Sequence, residues 1–489
     1  MSASVQQLAA AVSQALQRGD RDTFVRSVKS LLAARAPLTS GWKSLSQPLL
    51  HFGEFELARS AIDLFAAAQP GNATAAYDRA LVYAQTGKPR EALAVLDRTP
   101  SVGTHPAATA YLRGTIALNL GDASAARAAL IDAHRLQPGS GQILQTISML
   151  GSLDDDEPLA TLILDAEVSM RSANAEDRAA YLYALGKLWD DRGNTARAYA
   201  SIAAGAALVA SVRRYDVEGD RQHAKAAVSE WTGDRIDAIA GRVRMPTDRA
   251  IIVTGLPRSG STLVEQILVS HSAVVDGDEV ARFGVVVDAI GGTSYRHMAD
   301  WTLRHNPTDA SRTYLHLLAQ RFGRMGRVVD KTLDASRYLG LLASIAPQAP
   351  LLWMRRDPLD VAWSCFSTWF LTGLPWSWSQ QALAEHIRLE EELLERWQDI
   401  LGDRLMVVDY EALVADKHAR IPPLLAHVGL DVEPDVFSPE RTERLVTTAS
   451  LTQVRAPINN RAIGRGRRYA DHLRPFVDSY RVLGGSIDE

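Results

Sequence analysis

The chain has 489 residues, more than one ordinary hydrophobic core organises, so two or more domains are expected. Its formal net charge of −4 excludes the basic balance of general nucleic-acid binding, and its single cysteine, Cys365, excludes an internal disulfide framework. No run of about eighteen apolar residues predicts a membrane span, and residues 1–19 lack the basic start and apolar core of a secretory signal. These features predict a cytoplasmic protein with no membrane or nucleic-acid partner.

A 34-residue period runs through the first part of the chain, with glycine, a small or aromatic residue and an aliphatic residue in fixed columns. The columns are Gly19, Gly53, Gly87 and Gly121; Phe24, Ala58, Ala92 and Ala126; and Val28, Ile62, Leu96 and Leu130. A fixed period of this length is the signature of tetratricopeptide repeats, whereas coincidental alanine-rich helices are the alternative. The pattern weakens at Asp155 and restarts out of step at Gly193, which predicts an insertion or a longer helix near residues 170–180.

Stacked helix pairs of this kind form a superhelix whose concave face usually holds a peptide or another protein. We therefore predict a repeat domain over residues 1–235 and a linker over residues 236–248. The expected partner is a protein or peptide acceptor, and a second copy of the chain, giving a homodimer, is the alternative.

The second half alternates short apolar β-branched runs with longer helical patterns. That alternation predicts βαβ units and an α/β domain with a mainly parallel sheet over residues 249–489. The predicted fold class is thus an all-α repeat superhelix followed by a P-loop-like α/β domain. Ligands of such sheets lie beyond the carboxyl ends of the strands, so the residues that follow each strand are candidates for the site.

Residues 250–262 have the pattern of a phosphate cradle. An apolar strand at 250–254 precedes the segment Pro-Arg-Ser-Gly-Ser-Thr at 257–262, where a helix starts. Such a helix directs N–H groups and the positive end of its dipole at an anion. The segment lacks the Gly-Lys-Ser/Thr of a nucleoside-triphosphate loop, whose hydroxyl binds Mg²⁺, so no metal is expected. An ordinary glycine and serine turn is the alternative.

This segment resembles the 5′-phosphosulfate loop of the sulfotransferases, which reads Pro-Lys/Arg-Ser-Gly-Thr-Thr. With its arginine and a later Gly-Asp-Glu run, the chain is most similar to tyrosylprotein sulfotransferases and to bacterial sulfotransferases fused to tetratricopeptide repeats. The resemblance covers about residues 249–475 and implies 3′-phosphoadenosine 5′-phosphosulfate (PAPS) as co-substrate. The loop residues that it implies as cofactor contacts are Arg258, Ser259, Gly260, Ser261 and Thr262.

Two further strand ends carry candidate catalytic residues. Glu279 follows Val-Val-Asp-Gly-Asp and can take a proton from an attacking hydroxyl, although a solvated loop acid is the alternative. Lys331 follows Arg-Val-Val-Asp and can stabilise charge on the oxygen that bridges sulfur and phosphate. The resemblance implies Glu279 as catalytic base, and we predict that Lys331 and Arg258 stabilise the transition state. Leu333 stands where the family often has proline.

A third strand end resembles the family's 3′-phosphate motif, in which an arginine and a serine eight residues later hold that phosphate. Arg356 and Ser364 have this spacing, and Pro358 marks a helix start between them. A plain surface pair, Arg355 and Arg356, is the alternative. Thr368 stands where tyrosylprotein sulfotransferases have a further phosphate-binding arginine.

Tyr410 follows a fourth strand at the position of the family's nucleotide-contacting tyrosine, and core packing is the alternative. Residues 448–459 resemble the family's loop Ser-x-x-Gln-Val-x-x-Pro-Val-Asn. Together with the family's phosphate-binding lysine position, this loop implies cofactor contacts from Ser450, Gln453, Asn459 and Arg465. Gly466 replaces the tryptophan that usually follows. The arginines around Arg465 could instead form a nucleic-acid patch.

The sequence therefore predicts a metal-independent, PAPS-dependent sulfotransferase that acts on a hydroxyl of a protein or peptide tyrosine. A carbohydrate or small-molecule hydroxyl is the alternative acceptor. A non-catalytic repeat scaffold that senses nucleotide and a kinase that uses Mg-ATP are the alternative functions.

Overall fold

The computed structural model of the protein describes residues 3–98, 105–370, 374–442 and 456–487. The chain groups into two compact units. Unit 1 contains Met1–Leu136 and His316–Gly323, and unit 2 contains Gln137–Leu315 and Arg324–Glu489.

Unit 1 is built mainly from helices that pack in consecutive pairs, α1 with α2, α3 with α4, α5 with α6 and α7 with α8. Their bounds are α1 (Ala3–Arg18), α2 (Arg21–Ala33), α3 (Gly41–His51), α4 (Phe55–Ala67), α5 (Ala73–Gln85), α6 (Pro89–Asp97), α7 (Pro106–Leu120) and α8 (Ala123–Leu136). Side chains cap the starts of some of these helices, since Asp20 accepts from the Thr23 amide and Asn72 accepts from the Thr74 amide.

The 34-residue period of the sequence corresponds to these pairs. The four repeat glycines lie in the turn inside each pair with φ between 67° and 84°, a left-handed conformation that glycine adopts most readily. Every residue of the two other columns is at most 2 % exposed. The periodic columns therefore form the core of the helix pairs, while their tetratricopeptide identity and their binding role stay predictions.

Unit 2 begins with further helices, which precede the sheet. They are α9 (Gly141–Ser148), α10 (Glu157–Asp165), α11 (Glu167–Met170), α12 (Ala175–Asp191), α13 (Thr195–Ala210), α14 (Val217–Val228) and α15 (Gly233–Ala240). The short α11 and the 17-residue α12 lie where the repeat pattern predicted an insertion or a longer helix.

The other helices lie between and after the strands, and α19 divides between the units at His316. They are α16 (Ser261–Val269), α17 (Gly284–Ile290), α18 (Tyr295–Thr302), α19 (Pro307–Phe322), α20 (Leu339–Ile345), α21 (Pro358–Phe366), α22 (Gln380–Leu401), α23 (Tyr410–Ala415), α24 (Lys417–His427) and α25 (Arg474–Val482). Two 3₁₀ helices, Leu333–Arg337 and Gly466–Tyr469, adjoin the candidate site.

The sheet of unit 2 has five parallel strands in the order β2-β3-β1-β4-β5. The strands are β1 (Ala250–Gly255), β2 (Val274–Asp278), β3 (Arg327–Asp330), β4 (Leu351–Arg355) and β5 (Leu405–Asp409). Because the strands are parallel, the predicted site residues that follow them emerge at one edge of the sheet. The predicted fold class, helices followed by an α/β domain with a parallel sheet, is confirmed.

Helices α12 and α13 share a hydrophobic core with helices that follow the sheet strands. Tyr183 and Ile202 are buried in one cluster with Trp363, Tyr469 and Phe476. The predicted domain boundary between residues 235 and 249 stays a prediction, and the compact units divide after residue 136. The physical reason is that α12 and α13 bury their apolar faces against α21 and its neighbours.

Deleting residues 1–235 is expected to yield an aggregated C-terminal half, because it removes α12 and α13 and exposes the apolar surface that they cover. A chain that begins at residue 137 keeps this core and is expected to be recovered as soluble protein in higher yield. Soluble fraction and size-exclusion profiles measure both. Equal recovery of the two truncated chains would contradict the shared core.

Candidate active site

The loop between β1 and α16 has the backbone conformation of an anion cradle. Gly255, Arg258 and Gly260 have φ of 131°, 68° and 100°. A Cβ on Gly255 would lie 2.6 Å from the Met354 carbonyl oxygen, and one on Gly260 would lie 2.3 Å from the Tyr410 ring, so the loop requires both glycines. Gly260 is also the N-cap of α16 and provides no side-chain cap, as expected where a helix start faces an anion.

A buried hydroxyl in this loop fits an oxygen-rich ligand. Ser259 is 1 % exposed, and its Oγ has no hydrogen-bond partner among the described residues. Buried hydroxyls are normally hydrogen-bonded, so this hydroxyl suits an acceptor such as a phosphate or sulfonate oxygen. Ser261 and Thr262 follow in the first turn of α16, each 5 % exposed.

Lys331 reaches the cradle from the end of β3. The side chain is 1 % exposed, and its Nζ donates to Thr262 Oγ1 at 3.2 Å and to Glu279 Oε1 at 2.9 Å. Its Nζ also lies 3.4 Å from Glu265 Oε2. The structure therefore brings the predicted base and the predicted cation into contact beside the start of the cradle helix.

The surroundings of Lys331 keep it charged. Burial by itself would lower the pKa of Lys331, but the carboxylates of Glu265 and Glu279 outweigh burial and raise that pKa above its ordinary value. Lys331 is therefore an ammonium at neutral pH. A fixed cation in a buried site can stabilise negative charge that develops during a reaction.

Two arginines lie on the other side of the cradle. Arg258 Nε donates to Ser364 Oγ at 2.9 Å, and Arg356 Nη1 donates to the Arg258 carbonyl oxygen at 2.9 Å. The Arg356 guanidinium also lies over the Tyr410 ring, with Cζ 4.7 Å from the ring centroid. Four residues that the sequence predicted after three different strands thus lie together.

This group of arginines favours an anion. Desolvation, together with the positive charges of Arg356 and Arg465, lowers the pKa of Arg258 to about 10, so Arg258 is still charged at neutral pH. Like charges in a partly dry site repel one another. A phosphate or sulfonate bound between them would relieve that repulsion.

Asp360, which the sequence analysis missed, connects α21 to the loop that carries Arg465. It is 2 % exposed and accepts from Arg356 Nη2 at 3.2 Å and from the Gly464 and Gly466 amides at 2.8 and 2.7 Å. A Cβ on Gly466 would lie 2.4 Å from the Leu359 carbonyl oxygen. The tryptophan that is usual in the resembled family therefore does not fit at Gly466.

Helix α12 holds the predicted phosphate ligand Arg465. The Arg465 guanidinium pairs with Asp190, whose other oxygen accepts from the Tyr469 hydroxyl at 2.6 Å. The Tyr469 ring stacks on Trp363 with the centroids 3.5 Å apart. A helix that the sequence placed in the repeat domain thus supports the site, and no local pattern around Asp190 signals this contact.

The arginines separate two cavities. One, of about 290 Å³, is lined by Gly260, Tyr410 and Asn459, and the other, of about 390 Å³, is lined by Ser364, Thr368 and residues of α12. Arg258, Arg356 and Arg465 line both cavities. An extended ligand with two anionic groups suits this arrangement.

Some predicted contacts are placed differently or not at all. Ser450 and Gln453 lie outside the described residues. Asn459 is exposed, and its side chain donates to the Pro457 carbonyl oxygen at 2.8 Å and accepts from the Arg461 amide at 3.1 Å. These roles stay predictions.

Glu265 is a further site residue that the sequence analysis missed. It lies on α16 in the run Leu-Val-Glu-Gln-Ile-Leu, where nearly every neighbour is apolar. A lone carboxylate on a buried helix could have indicated a site residue, because a buried charge requires a charged or hydrogen-bonding partner.

Within the described ranges, no group of three or more His, Cys, Asp or Glu side chains is arranged to hold a metal ion. Nor does any helix in those ranges have the length and apolarity needed to cross a bilayer. Metal independence and location in the cell stay predictions.

Residues 250–434 match the Sulfotransferase family. The match begins at β1 and includes the cradle, Glu279, Lys331, Arg356 and Ser364. It ends before the loop that carries Asn459 and Arg465. The part of the chain that contains the parallel sheet is therefore the part that resembles a known enzyme class.

Two similar proteins extend this comparison. An uncharacterized protein of Aquifex aeolicus is 26 % identical over 352 residues, which cover 69 % of this chain and 45 % of that protein. Nodulation protein NoeE of Sinorhizobium fredii is 27 % identical over 235 residues, which cover 41 % of this chain and 55 % of that protein. The chain thus spans about half the length of these relatives.

Among solved structures, the sulfotransferase domain from the Synechococcus PCC 7002 olefin synthase is similar to this chain. It has 17 % identity and a TM-score of 0.35, and the match covers 50 % of this chain and 98 % of that domain.

Proposed function

We propose that this protein transfers a sulfonate group from PAPS to an acceptor hydroxyl. The observation that carries the proposal is the 2.9 Å contact of Lys331 Nζ with Glu279 Oε1, made beside Thr262 in the first turn of the cradle helix. A base, a buried cation and an anion-binding helix start meet there. The match of residues 250–434 to the Sulfotransferase family supports this proposal.

In this proposal PAPS supplies the activated sulfonate, and the protein provides sites for its two anionic ends. The cradle would hold the 5′ end, since the Ser259 hydroxyl has no hydrogen-bond partner within the part of the chain that the structure describes. Arg356, Ser364 and Arg465 would hold the 3′-phosphate, while Tyr410 and Asn459 line the cavity of about 290 Å³ that would take the nucleoside. Arginine and serine side chains lie side by side in these sites, and both donate hydrogen bonds to oxygen-rich anions.

The residues divide the chemistry between them. Glu279 accepts the proton of the acceptor hydroxyl while the acceptor oxygen forms its bond to sulfur. Lys331 and Arg258 stabilise the charge that remains on the 5′-phosphate oxygen as the old S–O bond breaks. Fixed cations and the start of α16 thus neutralise the charge that Mg²⁺ neutralises in nucleoside-triphosphate enzymes, so the proposal includes no metal.

For the acceptor we propose a tyrosine hydroxyl of a protein or peptide. The similarity of Gly277-Asp278-Glu279 to the tyrosylprotein sulfotransferase motif supports this choice. Unit 1 also has a cavity of about 650 Å³ lined by residues of α4 to α6, among them Asp63, Arg79 and Tyr83, which suits a peptide. A carbohydrate or small-molecule hydroxyl remains the alternative acceptor. Binding between two copies of the chain stays a prediction.

Calorimetry with 3′-phosphoadenosine 5′-phosphate and with Mg-ATP, run side by side, tests the nucleotide. We expect binding of the first and little or none of the second. Preference for Mg-ATP would contradict the proposal and favour a kinase. Transfer of labelled sulfonate from PAPS into a lysate, followed by identification of the labelled species, tests the acceptor, and binding without any transfer would favour a nucleotide-sensing scaffold.

Arg356→Ala is expected to raise the Kd for 3′-phosphoadenosine 5′-phosphate by about 10- to 100-fold, the value of one or two charge-assisted hydrogen bonds. The Kd for adenosine 5′-phosphosulfate, which lacks the 3′-phosphate, should rise much less. Arg355→Ala is the matched control, because its side chain is 63 % exposed and pairs with Asp409. Equal losses for both nucleotides would show that Arg356 does not contact the 3′-phosphate.

A further inference from the structure

A second carboxylate contacts Lys331, and the reaction proposed above does not use it. Glu265 lies three residues after Thr262 on α16, and residues at this spacing share a helix face. That face places both side chains on Lys331, with Thr262 Oγ1 at 3.2 Å and Glu265 Oε2 at 3.4 Å from Nζ. Glu265 is 2 % exposed, so its charge lies in the protein interior.

The fold makes room for this buried carboxylate at Gly277 of β2. A Cβ at Gly277 would lie 2.9 Å from Glu265 Cγ and 3.0 Å from Glu265 Oε1. Any larger residue would displace the Glu265 side chain. The glycine of the Gly-Asp-Glu run therefore allows Glu265 to reach Lys331.

The two carboxylates differ in how they can move. Glu279 has a side chain that is 36 % exposed, whereas Glu265 is enclosed by the protein. When Glu279 takes the proton of an acceptor hydroxyl, its carboxylate becomes neutral and no longer balances the charge of Lys331. If Glu279 were the only partner, this proton transfer would leave a buried ammonium without a counter-charge, which is costly.

We propose that Glu265 is a positioning residue, a permanent counter-ion that keeps Lys331 charged and in place while Glu279 takes the proton of the acceptor hydroxyl. This inference rests on the proposed function. Glu265 itself does not touch the acceptor in this scheme, and it acts only through Lys331.

Lys331 is surrounded by charges from two elements. Glu265 lies on α16, and Asp278 and Glu279 lie at and just beyond the end of β2. These carboxylates outweigh burial and raise the pKa of Lys331. Removing one of them must lower that pKa, so activity that requires the ammonium will be lost at a lower pH than in the unmodified protein.

Glu265→Gln tests the inference. The change leaves one cation paired with one carboxylate, so the fold is expected to be retained. We expect kcat to fall by about 10- to 100-fold, in the range typical for the loss of a residue that holds a functional side chain in place. The Kd for 3′-phosphoadenosine 5′-phosphate should change little. The basic limb of the pH–kcat profile should move to lower pH by about one pH unit or more.

A second measurement does not depend on activity. Lysine labelled with ¹³C next to Nζ reports the titration of Lys331 by NMR, and Lys331→Arg assigns the signal. Glu265→Gln should lower the measured pKa of Lys331, whereas Glu265→Asp, which keeps the charge, should restore most of it. The same Asp variant should recover part of the lost kcat.

The outcomes separate the inference from the proposed function. An unchanged Lys331 titration in Glu265→Gln overturns the inference, as does a variant that loses only thermal stability while its pH–kcat profile is unchanged. A shifted titration in a protein that never transfers sulfonate would overturn the proposed function and leave Glu265 as an electrostatic partner only.

Discussion

Replacing Glu279 with glutamine is expected to lower kcat by about 100- to 10,000-fold, the usual contribution of a positioned general base, with nearly unchanged nucleotide affinity. The amide keeps the shape of the side chain but cannot take a proton from the acceptor. Glu279 has the geometry for this role because its side chain is partly exposed, so that an acceptor can reach it. Its Oε1 also lies 2.9 Å from Lys331 Nζ, which places it beside the cradle. Single-turnover rates with PAPS, together with calorimetry for 3′-phosphoadenosine 5′-phosphate, measure the two effects separately.

Asp278→Asn is the neighbouring comparison for this experiment. Asp278 Oδ1 accepts from the Glu279 amide at 2.8 Å, so its carboxylate is engaged with the backbone of the turn. The acidic limb of the pH–kcat profile should persist in Asp278→Asn and disappear in Glu279→Gln. Near-normal turnover by Glu279→Gln, with loss in Asp278→Asn, would move the base to Asp278.

The second large effect is on stability, and it concerns Asp220 of α14. Asp220→Asn is expected to lower the free energy of unfolding of the structure around α14 by about 3 to 5 kcal/mol. This is the range for removing one partner of a buried ion pair, because the other charge is then left unpaired. Asp220 Oδ2 lies 2.6 Å from His386 Nδ1, and Asp220 Oδ1 accepts from Arg337 Nη2 at 2.9 Å. Arg337 also pairs with the buried Glu390, so the network joins α14, the 3₁₀ helix after Lys331 and α22.

This network should also make stability depend on pH. Burial by itself would raise the pKa of Asp220, but the hydrogen bond from His386 and the charge of Arg337 outweigh burial and hold that pKa well below its ordinary value. Burial also lowers the pKa of His386, so His386 acts here mainly as a hydrogen-bond donor. A carboxyl group with a lowered pKa stabilises the fold at pH values above the ordinary aspartate pKa of about 4, and this contribution is lost progressively as pH falls below it. The difference between Asp220→Asn and the unmodified chain should therefore shrink in acid.

Urea unfolding followed by tryptophan fluorescence at neutral and acidic pH measures this effect. Asp216→Asn is the matched control on the same helix, since Asp216 is exposed and caps the first turn of α14, and asparagine caps about equally well. A loss for Asp220→Asn no larger than that of the control would show that α14 is not bound to the rest of unit 2 through this carboxylate.

Several features of the fold and of the site could be predicted from the sequence, because they depend on short-range patterns. The period of the repeat glycines predicted the helix pairs, since a tight turn between helices favours glycine with positive φ. Short β-branched runs predicted the parallel strands. Because parallel strands end at one edge, the positions of Glu279 and Lys331 after two such runs predicted that they would lie near each other.

Only the tertiary structure decided which distant residues complete the site. Glu265 contacts Lys331, Asp360 accepts from the Gly464 amide, and Asp190 pairs with Arg465, and each pair combines residues that lie far apart in the chain. The same holds for the division after residue 136, since α12 and α13 pack against α21 and its neighbours. Periodicity records which face of a helix is apolar, but it does not record which partner covers that face. That choice depends on how the helices and the sheet pack in three dimensions. As a result α12, which the sequence assigned to the repeat domain, lines the candidate active site.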